Sequence, residues 1–306
     1  MAKKAKISRG SWCLTFGMER PLSLEQVVKL LSAFNYDGIE IAGFLGHATL
    51  DLYSTKQSRK GLVDLCSSHN LEMVGYAPGP YGDFGKWPWA TGSDEVVKEF
   101  SKFFDDSLQF CVDTQINTMR VDPGNFGPLA RDADYNAVWD RVVLTFQRQA
   151  EQAANVGVKL LWEPETGQIF VKPSEIVKLM DDVNHPNLEI MYDMGHFQAI
   201  VALGHNQVQP VETLAGGQVE MIKKLAGKIG HMHVCDSDNN TFANAFGTHL
   251  GIGKGKLNVE EILGAVIETG YEGWWSVDAI PMGPETIEDT YTDIFTLRDM
   301  LGRLIK

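Results

Sequence analysis

Apolar and polar positions along the chain follow two rhythms. Short runs rich in β-branched and aromatic residues recur at SWCLTF (11–16), GIEIAG (38–43), LEMVGYA (71–77), INTMRVD (116–122), VKLLWEP (158–164), LEIMYD (188–193), IGHMHVC (229–235) and GWWSVDA (273–279). Between them lie amphipathic stretches near 23–34, 55–69, 93–111, 134–156, 173–182, 212–226, 258–269 and 285–303. Strict alternation of the two predicts parallel strands joined by helical crossovers. Runs that are apolar on both faces fit a sheet buried on both sides. Eight such units closing on themselves predict an α/β fold, a single (β/α)8 TIM barrel spanning 1–306. The alternative, a doubly wound open sheet, lacks its Gly-x-Gly-x-x-Gly turn after the first strand.

Local signals support these boundaries. Ser23, Ser93 and Asn258 stand where an N-cap belongs, and Pro173-Ser174 opens the fifth helix. Glycine-bearing turns close several helices, as in Asn35-Tyr36-Asp37-Gly38, Asn155-Val156-Gly157 and Gly270-Tyr271-Glu272-Gly273.

The length of 306 residues suits one large barrel with insertions, which typically needs about 250. A net charge of −13 repels phosphate backbones, so nucleic acid is not the expected partner. Cys13, Cys66, Cys111 and Cys235 are widely spaced with no C-x-x-C pair, which predicts reduced thiols in a cytoplasmic protein. The basic start MAKKAKISRG is followed by no apolar stretch of signal-peptide length, and no run reaches a membrane span, so no membrane association is expected.

Candidate chemistry sits where four late strands end. LLWEPE (160–165), IMYDMGH (190–196), IGHMHVCD (229–236) and WWSVDAI (274–280) each stop on Glu, Asp or His. In a barrel these ends converge on one mouth. Three carboxylates and one imidazole, from Glu163, Asp193, His233 and Asp278, suit one divalent cation: Mn²⁺ first, with Mg²⁺, Co²⁺ or Zn²⁺ as alternatives. No Cys joins them, unlike a structural zinc site. Alternation along a strand leaves Glu163 competing with Glu165, and His231 with His233. We take Glu163 as the ligand, with Glu165 touching substrate or supporting the ligands.

These motifs carry a resemblance. Glu163-Pro164 after the fifth strand, Asp193-x-Gly195-His196 after the sixth, His231-x-His233-x-x-Asp236 after the seventh and the glycine segment 251–258 resemble the xylose-isomerase-like barrel superfamily of sugar phosphate isomerases and epimerases. The likeness covers nearly the whole chain. It implies metal ligands in the order Glu, Asp, His and Glu, which favours His233 over His231 and leaves His231 one layer below, orienting a ligand. It makes His196 a substrate-binding residue. Asp278 stands where the ketose epimerases use Glu, which sets the carboxylate roughly 1–1.5 Å further back and leaves room for lyase or dehydratase chemistry with a different base.

The implied reaction is proton removal from carbon beside the carbonyl of a small keto sugar or polyol, giving isomerisation or epimerisation. Glu163 is assigned as ligand and base, Asp278 as ligand and partner acid, and His196 as the holder of substrate hydroxyls. Further substrate-binding candidates are His47, Arg120, Glu165 and His249, and Lys254 is a candidate neutraliser of an acidic ligand. Trp12, Trp87, Trp89 and Trp162 are candidate stacking platforms, and the aromatic segment 78–92 a candidate lid. The alternative is a lyase or dehydratase acting on a 3-keto sugar, keto-glycoside or inosose, with a small accessory subunit. An AP endonuclease would need a trinuclear zinc cluster and a basic face, and a non-catalytic sugar-binding barrel would not need all four polar strand ends. A homo-oligomer, dimer or tetramer, is implied by the resemblance.

Overall fold

A computed structural model describes residues 5–305 apart from 17, 19, 80–87, 125, 126, 128, 131, 243–245 and 281–285. Eight parallel strands close into a barrel: β1 (Ile7–Gly10), β2 (Gly38–Gly43), β3 (Glu72–Pro78), β4 (Thr118–Val121), β5 (Lys159–Trp162), β6 (Leu188–Asp193), β7 (Ile229–Val234) and β8 (Trp275–Val277). Each pairs with its chain neighbours, and β8 pairs with β1. The crossovers carry α1 (Leu24–Ala33), α2 (Lys56–Ser68), α3 (Asp94–Thr114), α4 (Tyr135–Ala154), α5 (Pro173–Val183), α6 (Gly217–Lys224) and α7 (Val259–Glu268), and α8 (Thr286–Leu304) follows β8.

The helices start where their caps dictate. Ser23 accepts from the Gln26 amide while the Gln26 side chain accepts from the Ser23 amide, a reciprocal capping box. Ser93 and Asn258 cap α3 and α7, and Pro173 occupies the first turn of α5. Leu24, Val27, Val28 and Leu31 on α1, like Ile294, Leu297 and Leu301 on α8, form the apolar stripes that pack on the barrel. In the turn before β2 it is Asn35, at φ +61°, that adopts the left-handed conformation. Gly38 has a different task, because a Cβ there would lie 2.8 Å from the Glu72 carbonyl oxygen of the next strand.

One expected strand is displaced. The sequence pattern placed the first strand at 11–16, whereas β1 is Ile7–Gly10 and Ser11–Leu14 forms one 3₁₀ turn. The signal was hidden by Arg9, which is fully buried. Its guanidinium donates to Asp293 at 3.0 Å and to the Ala279 carbonyl at 2.8 Å, so β1 is tied to α8 and to the end of β8.

Two register shifts position the site. Between β6 and β7 the shift falls at Ile190/Met191, after which Met191 faces His231 and Asp193 faces His233. Between β2 and β3 it falls at Ile39/Glu40 and sets Glu40 against Gly75. Such irregularities re-aim side chains without breaking the ladder. Because side chains alternate along a strand, His231, His233 and Ser276 share one face, while Met232, Val234, Trp275 and Val277 share the other and join the apolar core. The barrel interior is therefore polar towards its C-terminal mouth, and the apolar core lies mainly between sheet and helices.

Candidate metal centre

Glu163 directly follows β5, Asp193 ends β6, His233 lies on β7 and Asp278 directly follows β8. The structure brings one donor atom from each to within 4.8 Å of all the others, and all four side chains are buried. His233 Nδ1 lies 2.8 Å from Glu163 Oε1, 3.4 Å from Asp278 Oδ2 and 3.8 Å from Asp193 Oδ2. Glu163 and not Glu165 belongs to this group, and His233 and not His231.

The Asp193-x-Gly195-His196 turn has a mechanical explanation. Asp193 Oδ1 accepts from the His196 amide at 2.7 Å, capping the short helical turn Met194–Phe197. Its other oxygen, Oδ2, is buried and has no hydrogen-bond partner among the described residues. A buried carboxylate oxygen in that state is costly unless a cation completes it. Gly195 permits the turn, since a Cβ there would lie 2.8 Å from the Thr248 carbonyl oxygen. The orphaned oxygen and the hard donor set of three carboxylates and one imidazole fit a divalent cation.

Beneath the group lies a residue that the sequence reading missed. Glu40, 2% exposed, sits 3.0 Å from His231 Nε2 and 3.2 Å from His233 Nε2. Burial opposes its charge, but the two imidazoles outweigh that and hold its pKa well below the usual range. Glu40 thus receives the far nitrogen of His233 and leaves Nδ1 facing the carboxylates. His233 in turn is held well up by Glu40, Glu163 and Asp278 against the effect of burial. An acidic residue inside the apolar run GIEIAG was the available signal.

Asp278 is held from the opposite side. Its Oδ1 accepts from the Trp12 indole N–H at 2.7 Å and from the Cys13 thiol at 3.0 Å. Burial and the nearby carboxylate push the Cys13 thiol up, so it remains a protonated donor. Burial also raises the pKa of Asp278.

The mouth adds Arg120, Glu165, His196 and His249. Arg120 bridges Glu163 Oε2 and Glu165 Oε1, so it pairs with site carboxylates. Burial, with Glu163 nearby, lifts Glu165 to about 7, although Arg120 opposes the shift. His196 lies with Nε2 3.8 Å from Glu165 Oε1, and burial holds it down to about 4, so it is neutral. His249 Nε2 lies 3.1 Å from Asp193 Oδ1; burial opposes its charge, but Asp193 and Asp278 prevail and raise it to about 9. With Asp193, these two histidines form a second three-donor group that shares its carboxylate with the first.

Other expected contributors lie elsewhere. His47 is buried with one ring nitrogen 3.1 Å from Ser11 Oγ and the other 3.0 Å from the Leu22 carbonyl, so both are engaged in tying loops together. Lys254 pairs with Asp289 on α8, not with a site carboxylate. Trp162 and Trp89 are fully buried, against Phe146 and Phe100, which makes them core residues. Among the described rings of this set, Trp12 reaches the group, 5.8 Å from the His233 ring. Trp87 and most of the expected lid lie outside the described residues.

A profile of the xylose isomerase-like TIM barrel matches residues 28–293. The chain belongs to that family. Among the family's relatives, fructoselysine 3-epimerase of Escherichia coli O157:H7 is 25% identical over 276 residues, covering 88% of this chain and 89% of the relative. An inosose dehydratase of Bacillus licheniformis is 22% identical over 205 residues, covering 64% and 67%. A solved D-tagatose 3-epimerase-like protein superposes with a TM-score of 0.74 at 20% identity, covering 98% of both chains, which shows the shared fold.

Proposed function

We propose that the chain is a divalent-cation-dependent isomerase or epimerase of a small keto sugar or polyol, working by proton transfer at the carbon beside the carbonyl. The observation that carries this reading is the buried Asp193 Oδ2, which has no hydrogen-bond partner among the described residues, inside a group of three carboxylates and one imidazole. Glu163, Asp193, His233 and Asp278 would hold the cation, and Mn²⁺ is the ion we assign, with Mg²⁺, Co²⁺ and Zn²⁺ as alternatives. When bound, the cation supplies positive charge for the oxygen that becomes negative as the proton leaves. The 3-epimerase among the curated relatives supports the substrate class.

The chain's own residues divide the remaining work. Glu163 takes the proton from carbon. Glu165, poised at about 7 and with Oε2 free of hydrogen-bond partners among the described residues, carries protons at the same rim. Arg120 fixes the spacing of these two carboxylates. Neutral His196 accepts at Nδ1 from the Gly247 amide at 3.4 Å, which places the proton on Nε2 for a substrate hydroxyl or for Glu165.

A second reading, a lyase or dehydratase on a 3-keto sugar or inosose, is favoured by one observation. Asp278 Oδ1 is already committed to Trp12 and Cys13, which leaves fewer free carboxylate oxygens for proton transfer on two faces. The purified protein incubated with Mn²⁺ in D₂O and ketohexoses, inososes or 3-keto-glucosides, followed by NMR beside a chelated control, tests both. Metal-dependent deuterium beside the carbonyl is expected; an epimer supports the first reading and an unsaturated or deglycosylated product the second. Absence of exchange across the panel counts against both.

A further inference from the structure

We infer that Trp12 and Cys13 are positioning residues that make Asp278 a one-oxygen ligand of the bound cation, an inference that rests on the metal reading above. The geometry begins in the local fold. β1 stops at Gly10, and the 3₁₀ turn Ser11–Leu14 folds Trp12 and Cys13 across the mouth to the end of β8. Gly10 makes this turn accessible, because a Cβ there would lie 2.4 Å from the Trp12 ring. An indole nitrogen can only donate, and a thiol has a single proton. The thiol proton goes to Asp278 Oδ1 at 3.0 Å in preference to the Val277 carbonyl at 3.8 Å.

Both donors therefore converge on one oxygen. Oδ2 remains, and it faces His233 Nδ1 at 3.4 Å and His249 Nε2 at 3.8 Å. The other carboxylates of the group are held differently. Glu163 directs one oxygen at His233 and the other at Arg120, and Asp193 spends one oxygen on its own turn. The tether explains how a short side chain serves at this position: two donors from the turn after β1, the strand that pairs with β8, fix its rotamer. It also withdraws Asp278 from carbon chemistry. With Oδ1 occupied by two donors and Oδ2 directed at the group, proton transfer is left to the Glu163 and Glu165 side of the mouth, where Glu165 Oε2 has no hydrogen-bond partner among the described residues.

The test uses the full chain and the variants Trp12→Phe, Cys13→Ala and Cys13→Ser. An infrared difference spectrum between the unaltered protein and Cys13→Ala, both free of metal, isolates the S–H stretch of Cys13. It is expected at the low frequency of a thiol donating to a carboxylate, and to move up in Asp278→Asn. Calorimetric titration with Mn²⁺ is expected to show a dissociation constant raised about 10- to 100-fold in Trp12→Phe, the usual effect of losing a group that orients a ligand. Cys13→Ala should weaken binding too, and Cys13→Ser, which keeps a donor, should restore it. An S–H band at the free-thiol frequency, or full Mn²⁺ affinity in both Trp12→Phe and Cys13→Ala, overturns the inference. If the unaltered chain binds none of Mn²⁺, Mg²⁺, Co²⁺ or Zn²⁺, the metal reading itself falls, and the infrared band alone decides whether the tether exists. Should Trp12→Phe fail to fold, the two Cys13 variants and the infrared band carry the test.

Discussion

Replacing Glu40 by Gln probes the centre from below without changing its volume. Glu40 accepts from two imidazoles, His231 on Oε1 at 3.0 Å and His233 on Oε2 at 3.3 Å, in a site 2% exposed to solvent. A carboxylate can serve both because each of its oxygens accepts. A carboxamide has one accepting oxygen and one donating nitrogen, so one imidazole N–H must face another donor or its ring must change tautomer. A buried donor left unpaired costs about 1–3 kcal/mol, and that is the expected loss in the unfolding free energy of the metal-free protein. If His233 is the ring that yields, its neutral form keeps the proton on Nδ1 and so offers a cation no lone pair there. Loss of such an orienting partner weakens metal affinity about 10- to 100-fold, or roughly 1.4–2.8 kcal/mol. The assay is Mn²⁺ titration calorimetry beside urea unfolding, with ¹⁵N chemical shifts reporting the His233 tautomer. A Glu40→Gln protein with unchanged Mn²⁺ affinity and an unchanged His233 tautomer would refute the reasoning.

Three further outcomes follow from the same geometry. Asp193→Ala should lose Mn²⁺ binding and metal-dependent exchange together; the unaltered protein, at Mn²⁺ about 100 times its dissociation constant, should gain about 2.7 kcal/mol of stability that a chelator removes. Gly10→Ala drives a Cβ to 2.4 Å from the Trp12 ring and should cost about 1–3 kcal/mol through overpacking, with weakened Mn²⁺ binding; unchanged unfolding and binding would show that Trp12 does not need this close approach. His47 has its pKa lowered by burial, so the unfolded chain binds more protons below its ordinary value of about 6.5. Its contribution is therefore present above about pH 6.5 and is lost as pH falls through that value. Urea midpoints on either side should drop more for the unaltered protein than for His47→Gln, and equal drops would show that His47 is not buried neutral.

Much of the fold was legible because burial on both faces leaves a strong mark. β2 and β6 match their sequence runs residue for residue, and α1, α2 and α7 fall within a residue of the expected bounds. The first strand failed for a definite reason. A buried Arg9 paired with Asp293, 284 positions away, gives Ile7–Gly10 a polar look that no local pattern can separate from surface. The apolar run that follows then reads as strand, whereas its side chains serve the mouth: Trp12, Cys13, Ala42, Phe44 and Ala77 form an apolar cluster apart from the main core.

The centre was legible only in the part that sits at strand ends. Glu163, Asp193, His233 and Asp278 could be read because a water-seeking side chain closing a buried strand has no local excuse, and four of them on successive strands share a mouth. Glu40 and the Trp12–Cys13 pair could not be read in the same way, since each is defined by the residue it touches across the barrel. That difference has a physical consequence. Donor atoms at the mouth are fixed by topology, but their orientation is fixed by partners from β2 and from the turn after β1, which lie far away in sequence. Two barrels can therefore share all four strand ends and still aim them differently. The short carboxylate at Asp278 and its double tether from Trp12 and Cys13 are one place where this chain sets its own geometry, so its Mn²⁺ affinity should respond to Trp12 and Cys13 as well as to the four strand-end residues.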